Sequence, residues 1–148
     1  MNEIEYIALF LTPESKDLLL RHIKTHWSSK NHEYPNHFLE HITLWNGISK
    51  SDYDVRDKLM NQIRNHNTYV TVDVTAIGWS EKAFAFKVES DFVSQFTKTP
   101  HITIGTKEDV TPYHARFIDK WTPIEKIHLF TILGPKYLNH ENFDFILW

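Results

Sequence analysis

Apolar and polar positions alternate at the start of the chain. Glu3-Ile4-Glu5-Tyr6-Ile7-Ala8-Leu9-Phe10-Leu11 reads as a buried strand, because side chains of a strand point to opposite faces in turn. Thr12 then offers a hydroxyl N-cap and Pro13 suits the first helical position. Leu20, Ile23 and Trp27 recur at three and four residues, which predicts a helix ending near Ser28 with one apolar face. The polar stretch Ser29 to His37, with Tyr34-Pro35, reads as a loop, and Phe38 to Leu44 as a second strand. Asp52 to Arg64 reads as a second helix with Val55, Leu59 and Ile63 on one face. Val70 to Gly78 and Ala83 to Val88 pair as a hairpin across the Gly78–Lys82 turn region. Phe92–Phe96 carries no clear period. Beyond it come a strand at His101–Gly105, a helix at Pro112–Trp121, and strands at Ile127–Leu133 and Phe143–Trp148.

This mixed order with a central hairpin predicts an α+β domain of one or two sheets with helices packed outside. No Pro- or Gly-rich linker interrupts the chain, so residues 1–148 are expected to form a single domain.

Composition narrows the function classes. A chain of 148 residues, 41% apolar and 14% aromatic, is sufficient for one ordinary core and unlike a disordered segment. No apolar run approaches the roughly 20 residues that span a bilayer, and the first residues lack a basic leader, so a cytoplasmic protein with no membrane partner is expected. The absence of cysteine excludes a disulfide scaffold, a thiolate zinc site and a cysteine nucleophile. Sixteen Lys and Arg against 19 Asp and Glu leave a net charge of −3. Long nucleic acid is therefore not an expected partner, whereas a small nucleotide or an RNA end is compatible. Oligomeric state is left open.

Ten histidines make the chain rich in imidazole, and two of them share a setting: His41-Ile42-Thr43-Leu44 and His101-Ile102-Thr103-Ile104. On a strand, the histidine and threonine of each motif face one way and the two aliphatics the other. Two such strands would bring two imidazoles and two hydroxyls to one cleft. Cleaving a phosphodiester needs a base for the nucleophile, an acid for the leaving oxygen and donors for the non-bridging oxygens. Paired histidines supply acid and base near neutral pH without a metal, and threonine hydroxyls can hold the phosphoryl group. A bare His-x-Thr is weak, as His66-Asn67-Thr68 at a helix exit demonstrates. With aliphatics required at the second and fourth positions, roughly 0.15 occurrences are expected by chance, and this chain has two.

The paired motifs resemble those of the two-histidine (2H) phosphoesterase superfamily. That resemblance implies a two-lobed α+β layout: antiparallel sheets with outer helices around a central cleft, one His-x-Thr-x motif per lobe. It implies His41 and His101 as the acid/base pair and Thr43 and Thr103 as phosphate binders. The stretch His101 to Pro112, HITIGTKEDVTP, is similar to cyclic phosphodiesterase domains attached to tRNA ligases. The substrates so implied are 2′,3′-cyclic phosphates at RNA ends, or the cyclic and 2′–5′-linked oligonucleotides that serve as immune signals and that phage and viral relatives cleave. The spacing of 60 residues from His41 to His101 implies a trimmed connection without a wide RNA-binding insertion.

Around the motifs, simple alternation puts Trp45 and Gly105 on the histidine face, Trp45 as a base stacker and Gly105 as room for close ligand approach. Trp79 at the hairpin turn is a second candidate for base stacking, Phe10 (with Tyr6) a candidate cleft wall, and Lys107 a candidate for neutralising phosphate charge. His22 and His26 have the i, i+4 spacing of a metal pair but lack the accompanying His-Glu-x-x-His pattern, so no metal is expected. Four scattered glycines build no phosphate loop, and no cofactor is expected. The alternative to an enzyme is a catalytically silent nucleotide-binding module of the same fold. Binding alone, however, does not need two titratable groups.

Overall fold

The computed structural model describes residues 3–47 and 52–138. The chain is an α+β fold whose strands form one antiparallel seven-stranded sheet, in the order β2-β6-β5-β4-β7-β1-β3. The strands are β1 (Ile4–Leu11), β2 (Asn36–His37), β3 (His41–Asn46), β4 (Tyr69–Trp79), β5 (Ala83–Glu89), β6 (His101–Thr106) and β7 (Trp121–Tyr137). The helices are α1 (Pro13–His26), α2 (Ser28–His32), α3 (Tyr53–Arg64) and α4 (Asp91–Ser94). The expected strand at Phe143–Trp148 lies outside the described residues.

The two lobes are joined in this one sheet. β3-β1-β7 forms one three-stranded half and β4-β5-β6 the other, and β7 pairs with β4 to connect them. β7 is 17 residues long: residues up to Ile132 pair with β4, and those from Thr131 onward pair with β1. The strand expected from the sequence, Ile127–Leu133, is only its middle; Pro123 lies in the stretch before it and Gly134-Pro135 directly after it. The sheet tolerates Pro123 at an irregularity, where the register with β4 jumps between Val74 and Ala76.

Alternation within the strands separates two faces. One carries Ile7, Leu9, Ile42, Val72, Val74, Phe84, Phe86, Ile102, Leu129 and Leu133 into the main core, under Leu19 and Ile23 of α1, Leu59 of α3 and Val93 of α4. α1 starts where expected: Thr12 accepts from the Ser15 backbone N–H at 3.2 Å. Its buried stripe is Ser15, Leu19 and Ile23, while Leu20 is exposed, so the apolar face is rotated by one residue from the expected one. Asp52 caps α3. The stretch read as a helix over Pro112–Trp121 is a 3₁₀ segment, Pro112–Phe117, and Trp121 already belongs to β7.

Among the described residues, the other face carries no long helix. It holds Tyr6, Ala8 and Phe10 in one half, and Ala83 and Ala85 under Ala115, Ile118 and Trp121 in the other. Both motif strands present their histidines here.

Candidate active site

The two motifs occupy equivalent places in the two halves. His41 lies opposite Phe10, Ile42 opposite Leu9 and Thr43 opposite Ala8; His101 lies opposite Lys87, Ile102 opposite Phe86 and Thr103 opposite Ala85. Each threonine thus faces an alanine, and each motif isoleucine enters the core. Immediately after, both strands bulge. Ile7 pairs with Trp45 and Phe84 with Gly105, leaving Leu44 and Ile104 as the extra residues.

That shared bulge corrects two expectations. An extra residue reverses the alternation beyond it, so Trp45 turns into the main core and is only 7% exposed. Gly105 is turned likewise: a Cβ there would stand 2.9 Å from the Asn36 carbonyl oxygen and 3.0 Å from Tyr34 Cβ. Its bareness admits the chain next to β6, not a ligand. Trp79 packs on Trp27 and Phe84 on the helix-covered face with Lys30 above it, away from the histidines. Lys107 lies over the Tyr34 ring at 4.6 Å, at the far end of β6. Phe10 does line the histidine face, its ring 5.5 Å from that of His41.

Closure of the sheet brings the motifs together. Asn36 and His37 pair with β6; the Phe38 and Leu39 N–H groups then donate to the Ile104 and Thr103 carbonyl oxygens at 2.9 and 2.8 Å. One residue later the Glu40 carbonyl oxygen accepts from the Leu11 N–H, and His41 begins its pairing with β1. Residues 36–46 thus run from one end of the sheet to the other. The turn is made at Leu39, in the left-handed region at φ 65°.

The imidazoles have different surroundings. The His101 Nδ1 lies 2.7 Å from the Thr99 carbonyl oxygen. A carbonyl only accepts, so Nδ1 carries the proton and Nε2 is left with its lone pair free for a reacting group. His41 is stacked on Tyr6, with ring centroids 4.8 Å apart and planes at 23°. Ala8, between Tyr6 and Phe10 on β1, is too small to hold the rings apart. The His41 Nδ1 is buried without a hydrogen-bond partner among the described residues.

Burial pushes His41 down to about 4, helped by the nearby charges of His101 and Lys136. Burial also lowers His101; the Thr99 carbonyl offsets part of this and Arg116 adds to it. The charge of His101 is felt at His41, and an anion bound between the two imidazoles would raise both. Thr43 is exposed and Thr103 nearly buried, and neither hydroxyl has a hydrogen-bond partner among the described residues.

Several contributors were not singled out in the sequence. Thr99 orients His101 through its backbone, which leaves no side-chain signature. Lys87 lies opposite His101 only by virtue of strand pairing. Lys136 reaches the Tyr6 ring and is paired with Glu5 at 3.1 Å. Arg116 arrives from the 3₁₀ segment. Away from the histidine pair, the ring centroids of His22 and His26 lie 4.9 Å apart, and among the described residues no three His, Cys, Asp or Glu side chains come together as a metal site. An open hollow of about 480 Å³ along β4, lined by Asn67, Tyr69, Asp73, Glu89 and His128 among others, includes neither motif.

No protein-family model and no curated protein matches the chain. Among the described residues, no helix is long and apolar enough to cross a membrane.

Proposed function

We propose that the chain is a metal-independent phosphodiesterase of the 2H phosphoesterase type, cytoplasmic, acting on ribonucleotide phosphodiesters. The observation that carries this is the matched placement of His41/Thr43 and His101/Thr103 in the two halves of the sheet, on one face and with the charge of His101 felt at His41. One imidazole takes a proton from water, or from a ribose 2′-hydroxyl where the substrate supplies its own nucleophile. The new P–O bond forms as the bond to the departing ribose oxygen breaks, and the other imidazole protonates that oxygen. The threonine hydroxyls donate to the non-bridging oxygens, whose charge grows in the transition state. Substrates compatible with this chemistry are 2′,3′-cyclic phosphates at RNA ends and cyclic or 2′–5′ oligonucleotide signals.

The test is cleavage in excess EDTA of 2′,3′-cyclic AMP, an RNA with a cyclic-phosphate end, 2′–5′ oligoadenylate and cyclic dinucleotides. The expected result is turnover of at least one, reduced on the order of 10²-fold or more in His41→Ala and in His101→Ala. Nucleotide bound and recovered unchanged would replace the enzyme with a silent binding module.

A further inference from the structure

The rings that sequence patterning offered for base stacking, Trp45 and Trp79, are taken up by the core and the helix layer. Two others lie exposed beside the site, with the His114 ring packed against both. Tyr113 and Phe117 on the 3₁₀ segment are 54% and 60% exposed, with centroids 5.5 Å apart and planes at 74°. Arg116, between them in sequence, lies over the Tyr113 ring at 4.9 Å and has no carboxylate partner among the described residues. The segment is anchored through Ala115, buried against Ala83 and Ala85, and Ala85 is the cross-strand neighbour of Thr103. The guanidinium lies over an exposed ring with no carboxylate beside it, and a pair of exposed rings leaves apolar surface in water. Both are accounted for by a ligand that carries an anion and a flat aromatic group together.

We propose that Pro112–Phe117 is a second nucleotide subsite, in which Arg116 holds a phosphate flanking the scissile one and Phe117 stacks its nucleobase, with the Tyr113 ring, turned nearly perpendicular, against the base edge. A guanidinium stacked on a ring keeps its N–H edge free for phosphate oxygens, and base stacking on exposed aromatics is tolerant of base identity. The substrate class is then an oligonucleotide of at least two residues, linear or cyclic, in preference to a mononucleotide. This rests on the phosphodiesterase reading for its location but not for its binding chemistry.

Two measurements test it. The first is the ratio of kcat/KM for an adenylyl dinucleotide ending in a 2′,3′-cyclic phosphate to that for 2′,3′-cyclic AMP. The ratio is expected to fall about tenfold in Arg116→Gln and in the Tyr113→Ala/Phe117→Ala double variant, chiefly through KM for the dinucleotide. An unchanged ratio overturns the subsite. The second is calorimetric binding of ApA to the His41→Ala/His101→Ala protein, expected to weaken about tenfold with either added change. If the wild type cleaves nothing while ApA binding still depends on Arg116 and the two rings, the phosphodiesterase reading falls and the subsite stands. ApA binding indifferent to these residues removes the subsite whatever the activity.

Discussion

Leu39 donates its backbone N–H to the carbonyl oxygen of Thr103 at 2.8 Å, and this bond joins the two motifs. Leu39 precedes His41 by two residues, while Thr103 is itself a motif residue. The spacing of the imidazoles is therefore set through the backbone rather than by flexible side chains. Leu39 makes this contact at φ 65°, a region costly for a side chain with a Cβ, and its side chain is 3% exposed in the core.

Substitutions at Leu39 separate the backbone from the burial contribution. Leu39→Pro loses the N–H and demands a negative φ, so a destabilisation of about 3 kcal/mol or more is expected. Leu39→Ala and Leu39→Gly both delete the buried side chain, yet glycine alone is at ease at positive φ. Urea melts should find Leu39→Gly more stable than Leu39→Ala by about 1 kcal/mol. The reverse order would mean that the turn is not strained.

The depressed His41 makes stability depend on pH. Its imidazole takes up a proton near 6.5 in the unfolded chain but only near 4 when folded, so the unfolded state binds more protons between those values. Stability from this group is complete above about pH 6.5, declines as pH falls towards 4, and reaches a floor below it; the loss is of order 3 kcal/mol. His41→Phe keeps a ring against Tyr6 and removes the titration. Melts at pH 7.5 and 4.5 should find a smaller drop for His41→Phe than for the wild type, and equal drops would contradict the buried neutral imidazole.

Thr43→Val and Thr103→Val keep the β-branched shape and delete the hydroxyl. Neither hydroxyl has a partner among the described residues, so thermal stability is expected to change little. Where the hydroxyls meet the phosphoryl oxygens, kcat falls by on the order of 10²-fold for each. A loss confined to KM would assign them to ground-state binding instead.

Gly105→Ala is a test of packing, not of ligand access. The added methyl meets the Asn36 carbonyl oxygen at 2.9 Å and the Tyr34 carbonyl oxygen at 3.1 Å, pressing on the β2–β6 pairing that begins the closure. A stability loss of about 1–3 kcal/mol is expected by denaturant melts. An unchanged melt with an altered KM would return Gly105 to the ligand.

Much of this protein can be read from local pattern. The alternation in β1, the hairpin of β4 and β5, the start of α1 at Thr12 and the core-facing Ile42 and Ile102 all follow from backbone geometry within a few residues. The equal spacing of histidine and threonine in the two motifs is likewise visible before any fold. The bulges at Leu44 and Ile104 are not, because a bulge exists only relative to a partner strand; with them went the places of Trp45 and Gly105. The length of β7 exceeds the apolar run Ile127–Leu133 at both ends, across Pro123 and Gly134-Pro135, where only pairing with β4 and β1 extends the strand. Closure at Leu39, the seat of Tyr6 on His41 and the approach of Arg116 to His101 join residues far apart in the chain. Periodicity within one strand says which face a side chain takes, and pairing between strands decides which side chains meet there.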